Sequence, residues 1–196
     1  DALAKAIVEG KAKVNQCPVG GASVGDKIAA IMGVEAGVAE KMVAFVKCKG
    51  TCDKANVQYN YYGMDDCVKI AAAVPGTGDK ACSYGCLGSG SCVKACQFDA
   101  IHIVDGVAVV DKEKCVACGA CAAVCPRHLI DLVPYKAEHL VQCNSHDKGA
   151  DVKKKCDAGC IGCTLCTKQC EADAIHMDNN VAVIDYEKCT NCGKCA

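Results

Sequence analysis

Residues 115 to 126 carry Cys115, Cys118, Cys121 and Cys125 at the spacing C-x2-C-x2-C-x3-C, followed by Pro126. Two residues between thiolates let a looping backbone aim three sulfurs at three corners of one four-iron cubane, a geometry that neighbouring disulfides do not require. A looser run lies upstream, Cys82, Cys86, Cys92 and Cys96, with three, five and three intervening residues and Gln97 in place of proline. Cys160, Cys163, Cys166 and Cys170 form a third run, and Cys189, Cys192 and Cys195 open a fourth. The chemistry these thiolates support is one-electron transfer, and nothing in the pattern supplies a general acid, a general base or a substrate cavity.

The elements that hold these loops repeat. A shift of 74 residues lays Cys96 to Ala122 on Cys170 to Ala196 without a gap, with 16 of 27 positions identical, which marks a duplicated unit. In one copy Ala100 to Val104 and Val107 to Val110 flank Asp105-Gly106; in the other Ala174 to Met177 and Val181 to Ile184 flank Asn179-Asn180. β-branched runs joined by two such residues predict β-hairpins. Upstream, Asp1 to Gly10 and Asp26 to Met32 have the apolar spacing of helices, joined by a break from Gln16 through Cys17 and Pro18 to Gly21.

Composition narrows the class. The 196 residues include 21 cysteines against two Phe and no Trp, so an ordinary aromatic-rich core is not what holds the chain together. An odd cysteine count in tight runs fits a secreted disulfide framework poorly. Net charge is -1, from 22 basic and 23 acidic side chains, which provides no cationic field for nucleic acid. No run of about 18 apolar residues is long enough to span a membrane, and the first residues do not read as a signal peptide. Little apolar area can be buried in units of about 50 residues, so metal binding and folding are expected to be one event.

Residues 82 to 126 resemble a two-cluster ferredoxin, in which the fourth cysteine of each run crosses to the other run's cluster. The resemblance implies one [4Fe-4S] cluster on Cys82, Cys86, Cys92 and Cys125 and a second on Cys115, Cys118, Cys121 and Cys96. In the duplicate it implies a third on Cys160, Cys163 and Cys166, whose crossing ligand is missing here, and a fourth on Cys170, Cys189, Cys192 and Cys195. The N-terminal stretch DALAKAIVEGKAKVNQCPVGG resembles the end of the small helical four-cysteine domain in the B subunit of Rnf electron-transport complexes, and the order of domains is similar to the long B subunits of anaerobic bacteria. Cys17 would then be the last ligand of an N-terminal cluster whose other ligands lie upstream. On this resemblance the chain is a fragment cut at both ends.

The fold class expected is α+β: tandem ferredoxin-like two-cluster modules at 82–134 and 156–196, the second truncated, joined by a linker at 135–155. A small helical Cys-rich domain at 1–33 and a Cys-containing connecting segment at 34–81 precede them. The family implies an electron-transfer subunit of an ion-pumping ferredoxin:NAD oxidoreductase, with three [4Fe-4S] clusters fully liganded here and up to two more in the full-length protein. It implies reduced ferredoxin and the other Rnf subunits as partners, no nucleic acid, and a place on the cytoplasmic face of the cell membrane through an N-terminal helix that this chain does not contain.

Several readings stay open at this level. Cys48, Cys52, Cys67, Cys143 and Cys156 are unassigned: a further metal site, buried free thiols and a disulfide all remain. His102 and His176 sit in the predicted strands, outside the cysteine loops. His128 could donate toward a cluster sulfur or lie in solvent, and Lys153, Lys154 and Lys155 could steer an acidic partner or form a solvated helix face. Tyr59, Tyr61 and Tyr62 suit packing or an interface better than base stacking. Gly85, Gly88 and Gly90 do not make a nucleotide loop. The rivals are a polyferredoxin or a hydrogenase or dehydrogenase subunit, an enzyme with an open three-cysteine cluster, and a zinc-stapled interaction module.

Overall fold

The computed structural model describes residues 2–17, 19–37, 40–73 and 78–196. Asp1 of the first predicted helix and Pro18 of the break lie outside the described residues. Among the described residues the architecture is mixed: short helices and three two-stranded antiparallel sheets.

Helices α1 (Ala2–Val8) and α2 (Gly21–Met32) flank Cys17. α2 starts earlier than its apolar spacing suggests and stops at Gly33, whose φ of 67° is the left-handed conformation that ends helices.

Segment 34–81, expected as a connection, supplies strand β1 (Met42–Val46) and helix α3 (Cys67–Ala73). The rest of the first unit is α4 (Ser91–Ala95), the hairpin β2 (Ile101–Val104) and β3 (Val107–Val110), α5 (Ala120–Val124) and β4 (Ile130–Pro134). β1 pairs antiparallel with β4, from Met42 opposite Pro134 to Val46 opposite Ile130. Burial explains the pairing: Val43, Ala44 and Val46 are buried, and Ala44, Val46 and Ile130 join Ile101, Val107, Ala108 and Leu129 in one core with Cys86, Cys92 and Cys121. The segment is thus built into the first unit.

Residues 135–155 end in α6 (Gly149–Lys155), and the second unit holds α7 (Leu165–Gln169) and the hairpin β5 (Ile175–Asp178) and β6 (Val181–Ile184). Its hairpin repeats that of the first unit 74 positions on, with His176 opposite Val183 where the first has His102 opposite Val109. Both turns have positive φ at both central residues, Asp105 and Gly106, Asn179 and Asn180, as a type I′ turn requires. The stretch between the units is itself packed: Asn191 donates from Nδ2 to the Lys136 carbonyl at 3.1 Å, and Asn180 to the His146 carbonyl at 3.0 Å. Among the described residues no helix is long and apolar enough to cross a membrane.

Candidate metal centres

All four cysteine runs share one backbone. In the loops that start at Cys86, Cys115, Cys160 and Cys189, the second and fourth residues after that cysteine have positive φ: Gly88 and Gly90, Ala117 and Gly119, Gly162 and Thr164, Asn191 and Gly193. Alternation of right- and left-handed residues turns successive backbone N–H groups toward one point and makes an anion-binding nest. The charge such a nest accommodates is that of thiolates and of a dianionic cluster.

Cys96, Cys115, Cys118 and Cys121 line one space of about 340 Å³, and Cys170, Cys189, Cys192 and Cys195 another of about 310 Å³. Backbone donors reach these sulfurs: the Ala44 N–H of β1 points at Cys115 Sγ and the Ala174 N–H at Cys170 Sγ, each at 3.3 Å. Bonds of this kind stabilise thiolate and cluster charge. Hydrogen bonding from the Lys194 backbone holds the exposed Cys192 thiol below its usual range, whereas burial pushes Cys121 and Cys195 up.

The expected set of Cys82, Cys86, Cys92 and Cys125 is not brought together. Cys86, Cys92 and Cys125 share a space of about 360 Å³ with Cys67. The repeat gives the physical reason. Cys86, Cys92 and Cys96 stand 74 positions before Cys160, Cys166 and Cys170, but Ser89 stands where the second unit has Cys163. The first loop keeps the nest and lacks its middle thiol, and Cys67 enters from α3. It is held there by local chemistry: the Cys67 N–H donates to Ser91 Oγ at 2.8 Å, Ser91 donates to Asp66 Oδ1 at 3.2 Å, and that oxygen also caps the Val68 and Lys69 N–H groups. Those donors, the Lys69 N–H foremost, hold the Asp66 carboxyl below the usual range. Burial, with the neighbouring Cys86, Cys67 and Cys125 sulfurs, pushes the Cys92 thiol up to about 12.

Cys82 stands 74 positions before Cys156, and the two meet. With Cys48 and Cys143 they line a fourth space, of about 460 Å³. The vacancy at Ser89 and the Cys82/Cys156 correspondence were the sequence signals for this regrouping. Cys48 and Cys143 carry no spacing signal at all.

Cys160, Cys163 and Cys166 stand together. Burial, then the charge of Cys160 and Cys163, raises the Cys166 thiol. Cys17 lies between α1 and α2, and Cys52 is exposed. His102, His128 and His176 are exposed, and His128 lines a groove that Cys143 also borders. His139, not singled out by the sequence, lies against Gly193 at the space bounded by Cys170 and Cys189. Lys154 and Lys155 pair with Asp151 at 3.3 Å and Asp147 at 2.7 Å.

Among the described residues no three His, Cys, Asp or Glu side chains converge on a point that could hold a single metal ion. A tetrahedral zinc site needs sulfurs about 3.8 Å apart, from a Zn–S bond of about 2.3 Å. A cubane spreads its four thiolates around a larger body, and sulfurs that ring a space fit it.

The 4Fe-4S binding domain family matches residues 108–131. The chain is 46% identical over 99% of its length to the B subunit of the ion-translocating oxidoreductase complex of Methanosarcina acetivorans, covering 73% of that protein. It is 41% identical over 98% of its length to the B subunit of the proton-translocating ferredoxin:NAD(+) oxidoreductase complex of Clostridium ljungdahlii, covering 68% of it. The chain belongs to the family of Rnf B subunits. The B subunit of the Na(+)-translocating ferredoxin:NAD(+) oxidoreductase complex of Acetobacterium woodii is 48% identical over all of this chain, which spans 58% of that Rnf protein.

Proposed function

We propose that the chain is the iron–sulfur electron-transfer part of an Rnf B subunit, taking electrons from reduced ferredoxin within an ion-translocating ferredoxin:NAD oxidoreductase. The observation that carries this reading is the fourfold nest, with groups of cysteines ringing like-sized spaces, in a chain similar over its whole length to such subunits. Bound [4Fe-4S] clusters would supply one-electron redox chemistry. The chain's residues do the holding: Cys67, Cys86, Cys92 and Cys125 as one set, Cys96, Cys115, Cys118 and Cys121 as a second, and Cys170, Cys189, Cys192 and Cys195 as a third. Cys160, Cys163 and Cys166 give three ligands of a further site, and Cys17 one ligand of an N-terminal site; the remaining ligands would come from outside this sequence.

Two ferredoxin-like modules in tandem, behind a small helical Cys-rich domain, agree with the repeated loops and hairpins. The nest N–H groups offset cluster charge, and the buried residues of the core exclude water from Cys86, Cys92 and Cys121. Attachment at the cytoplasmic face of the membrane through a helix outside this sequence, and the other complex subunits as partners, follow from the family. NAD and the coupling ion belong to those subunits.

The test is reduction of the anaerobically purified, brown protein by a reduced ferredoxin, followed as bleaching of the visible absorption. Rapid bleaching is expected. A protein bleached by dithionite but untouched by ferredoxin contradicts the assignment of the donor.

A further inference from the structure

We propose that Cys48, Cys82, Cys143 and Cys156 hold an additional [4Fe-4S] cluster, placed between the two ferredoxin-like units as the bridge from one to the other. The four residues come from four separate segments, and specific contacts of the fold bring them together. β1 ends at Val46, the Lys47 N–H extends the ladder by bonding to the Leu129 carbonyl at 2.7 Å, and Cys48 follows at once. Residues 54–58 strap Cys82 to Cys156: the Ala81 N–H bonds to the Asn56 carbonyl at 2.7 Å, the Asn56 N–H to the Lys155 carbonyl at 2.9 Å, and the Asp157 N–H to the Lys54 carbonyl at 2.9 Å. Cys143 is anchored by the Ser145 N–H, which points at its Sγ at 3.4 Å, and by the edge-on stacking of His146 against Tyr84.

The space the sulfurs ring is kept open by missing side chains. A Cβ on Gly50 would lie 3.3 Å from Cys156 Sγ and 3.7 Å from Cys48 Sγ, and one on Gly85 would lie 3.6 Å from Cys82 Sγ. Cys48, Cys82, Cys143 and Cys156 all face this one space.

Lys47, Lys49, Lys80 and Lys155 line the space, Lys47 paired with Asp131 at 2.8 Å and Lys155 with Asp147 at 2.7 Å. Lys80 is only 5% exposed, and its ammonium donates to the Gly50 and Gly106 carbonyls at 2.9 and 2.7 Å. No carboxylate among the described residues forms an ion pair with it. A buried ammonium with carbonyl partners alone is costly, and a dianionic four-thiolate cluster at this wall is the counter-charge.

Position gives the site its role. The Cys86 N–H points at Cys48 Sγ at 3.4 Å, linking this group to the set on Cys67, Cys86, Cys92 and Cys125. On the other side Cys156 leads directly into the run that starts at Cys160. Cys48 and Cys82 come from the first unit's side and Cys156 from the second's, so this group draws its sulfurs from both.

The inference rests on the reading that grouped cysteines hold cubanes, and the experiment separates the two. Iron and acid-labile sulfide are counted in the anaerobically purified full-length subunit and in its Cys143→Ser variant. The variant is expected to lose about four of each and to keep the iron of the other groups; an unchanged count overturns this site and leaves the other clusters standing. Should the variant not fold, alkylation of the unaltered protein decides. Cys48, Cys82, Cys143 and Cys156 are expected to stay unlabelled in the brown protein and to react once a chelator removes the iron, while the exposed Cys52 reacts from the start. Labelling of any of the four in the brown protein overturns the proposal, as does a disulfide between Cys143 and Cys156.

Discussion

The loop from Cys86 to Cys92 and the loop from Cys160 to Cys166 have the same left-handed positions and the same five-residue gap between their outer cysteines, yet they complete their thiol sets differently. The second loop carries its own middle cysteine, Cys163; the first has Ser89 there and takes Cys67 from a helix 22 positions upstream of it. What the two share is the backbone nest, and what differs, on the proposed reading, is the source of one ligand. The nest forms with or without a middle cysteine, and Asp66 and Ser91 fix Cys67 beside the first loop. The surroundings differ in step. The first unit has a core of ten buried residues roofed by β1, whereas Ile175, Ala182 and Ile184 are the buried residues of the second unit's core cluster.

The largest expected effect sharpens that contrast in burial. Stripping the iron removes structural contributions on the order of 10 kcal/mol per site, by analogy with structural zinc, and the second unit is then expected to lose amide protection entirely. The first unit should retain slow exchange only along β1 and β4. Hydrogen exchange read by mass spectrometry checks it, and equal loss in both units contradicts the comparison.

Next in size is the ligand exchange. Cys67→Ser is expected to lose about four iron, whereas adding Ser89→Cys to that variant should restore them by giving the first loop the second loop's pattern. Iron counting on the pair decides whether Cys67 truly stands in for the absent thiol. No restoration would mean that the two loops are less alike than their dihedral angles indicate.

Smaller effects attach to the loop–hairpin contact. A Cβ on Gly88 would stand 2.8 Å from the Gly106 carbonyl oxygen, and one on Gly162 would stand 3.0 Å from that of Asn180. Both positions have positive φ, where alanine costs about 1–2 kcal/mol before any clash. Gly88→Ala should therefore destabilise the holoprotein by at least that amount, and Gly162→Ala by somewhat less, measured as the rate of iron loss in denaturant. The smallest effect is electrostatic: Lys80→Met should lower the reduction potential of one cluster by roughly 50 to 150 mV, the range a single charge gives at an effective dielectric of about 20. Potentiometric titration would show one centre shifted and the rest in place.

How far the sequence carried the structure follows the range of the interactions. The four runs, the 74-residue repeat and the hairpins turning at Asp105-Gly106 and Asn179-Asn180 were legible because spacing, identity and turn chemistry are local. β1 was not, because a five-residue apolar stretch has no distinctive period and its partner β4 lies far along the chain. The first helices were legible in kind, but α2 starts at Gly21, ahead of the apolar spacing that announced it. The assignment of Cys82 to the first loop followed the ferredoxin pattern, whereas the structure sets Cys82 on a different space from Cys86, Cys92 and Cys125, which Cys67 joins. A further metal site on the unassigned cysteines was left open, but the grouping of Cys48 and Cys143 with Cys82 and Cys156 was beyond reach, since strands and straps, and no spacing, deliver it.

The central claim is that the grouped thiols hold [4Fe-4S] cubanes and that these hold the chain. Iron, inorganic sulfide and zinc measured together on the anaerobically purified protein test it most directly. Iron and sulfide are expected in equal amounts, about four of each for every complete four-cysteine group, with no zinc. Zinc without sulfide, or a colourless protein that keeps both hairpins, would contradict it.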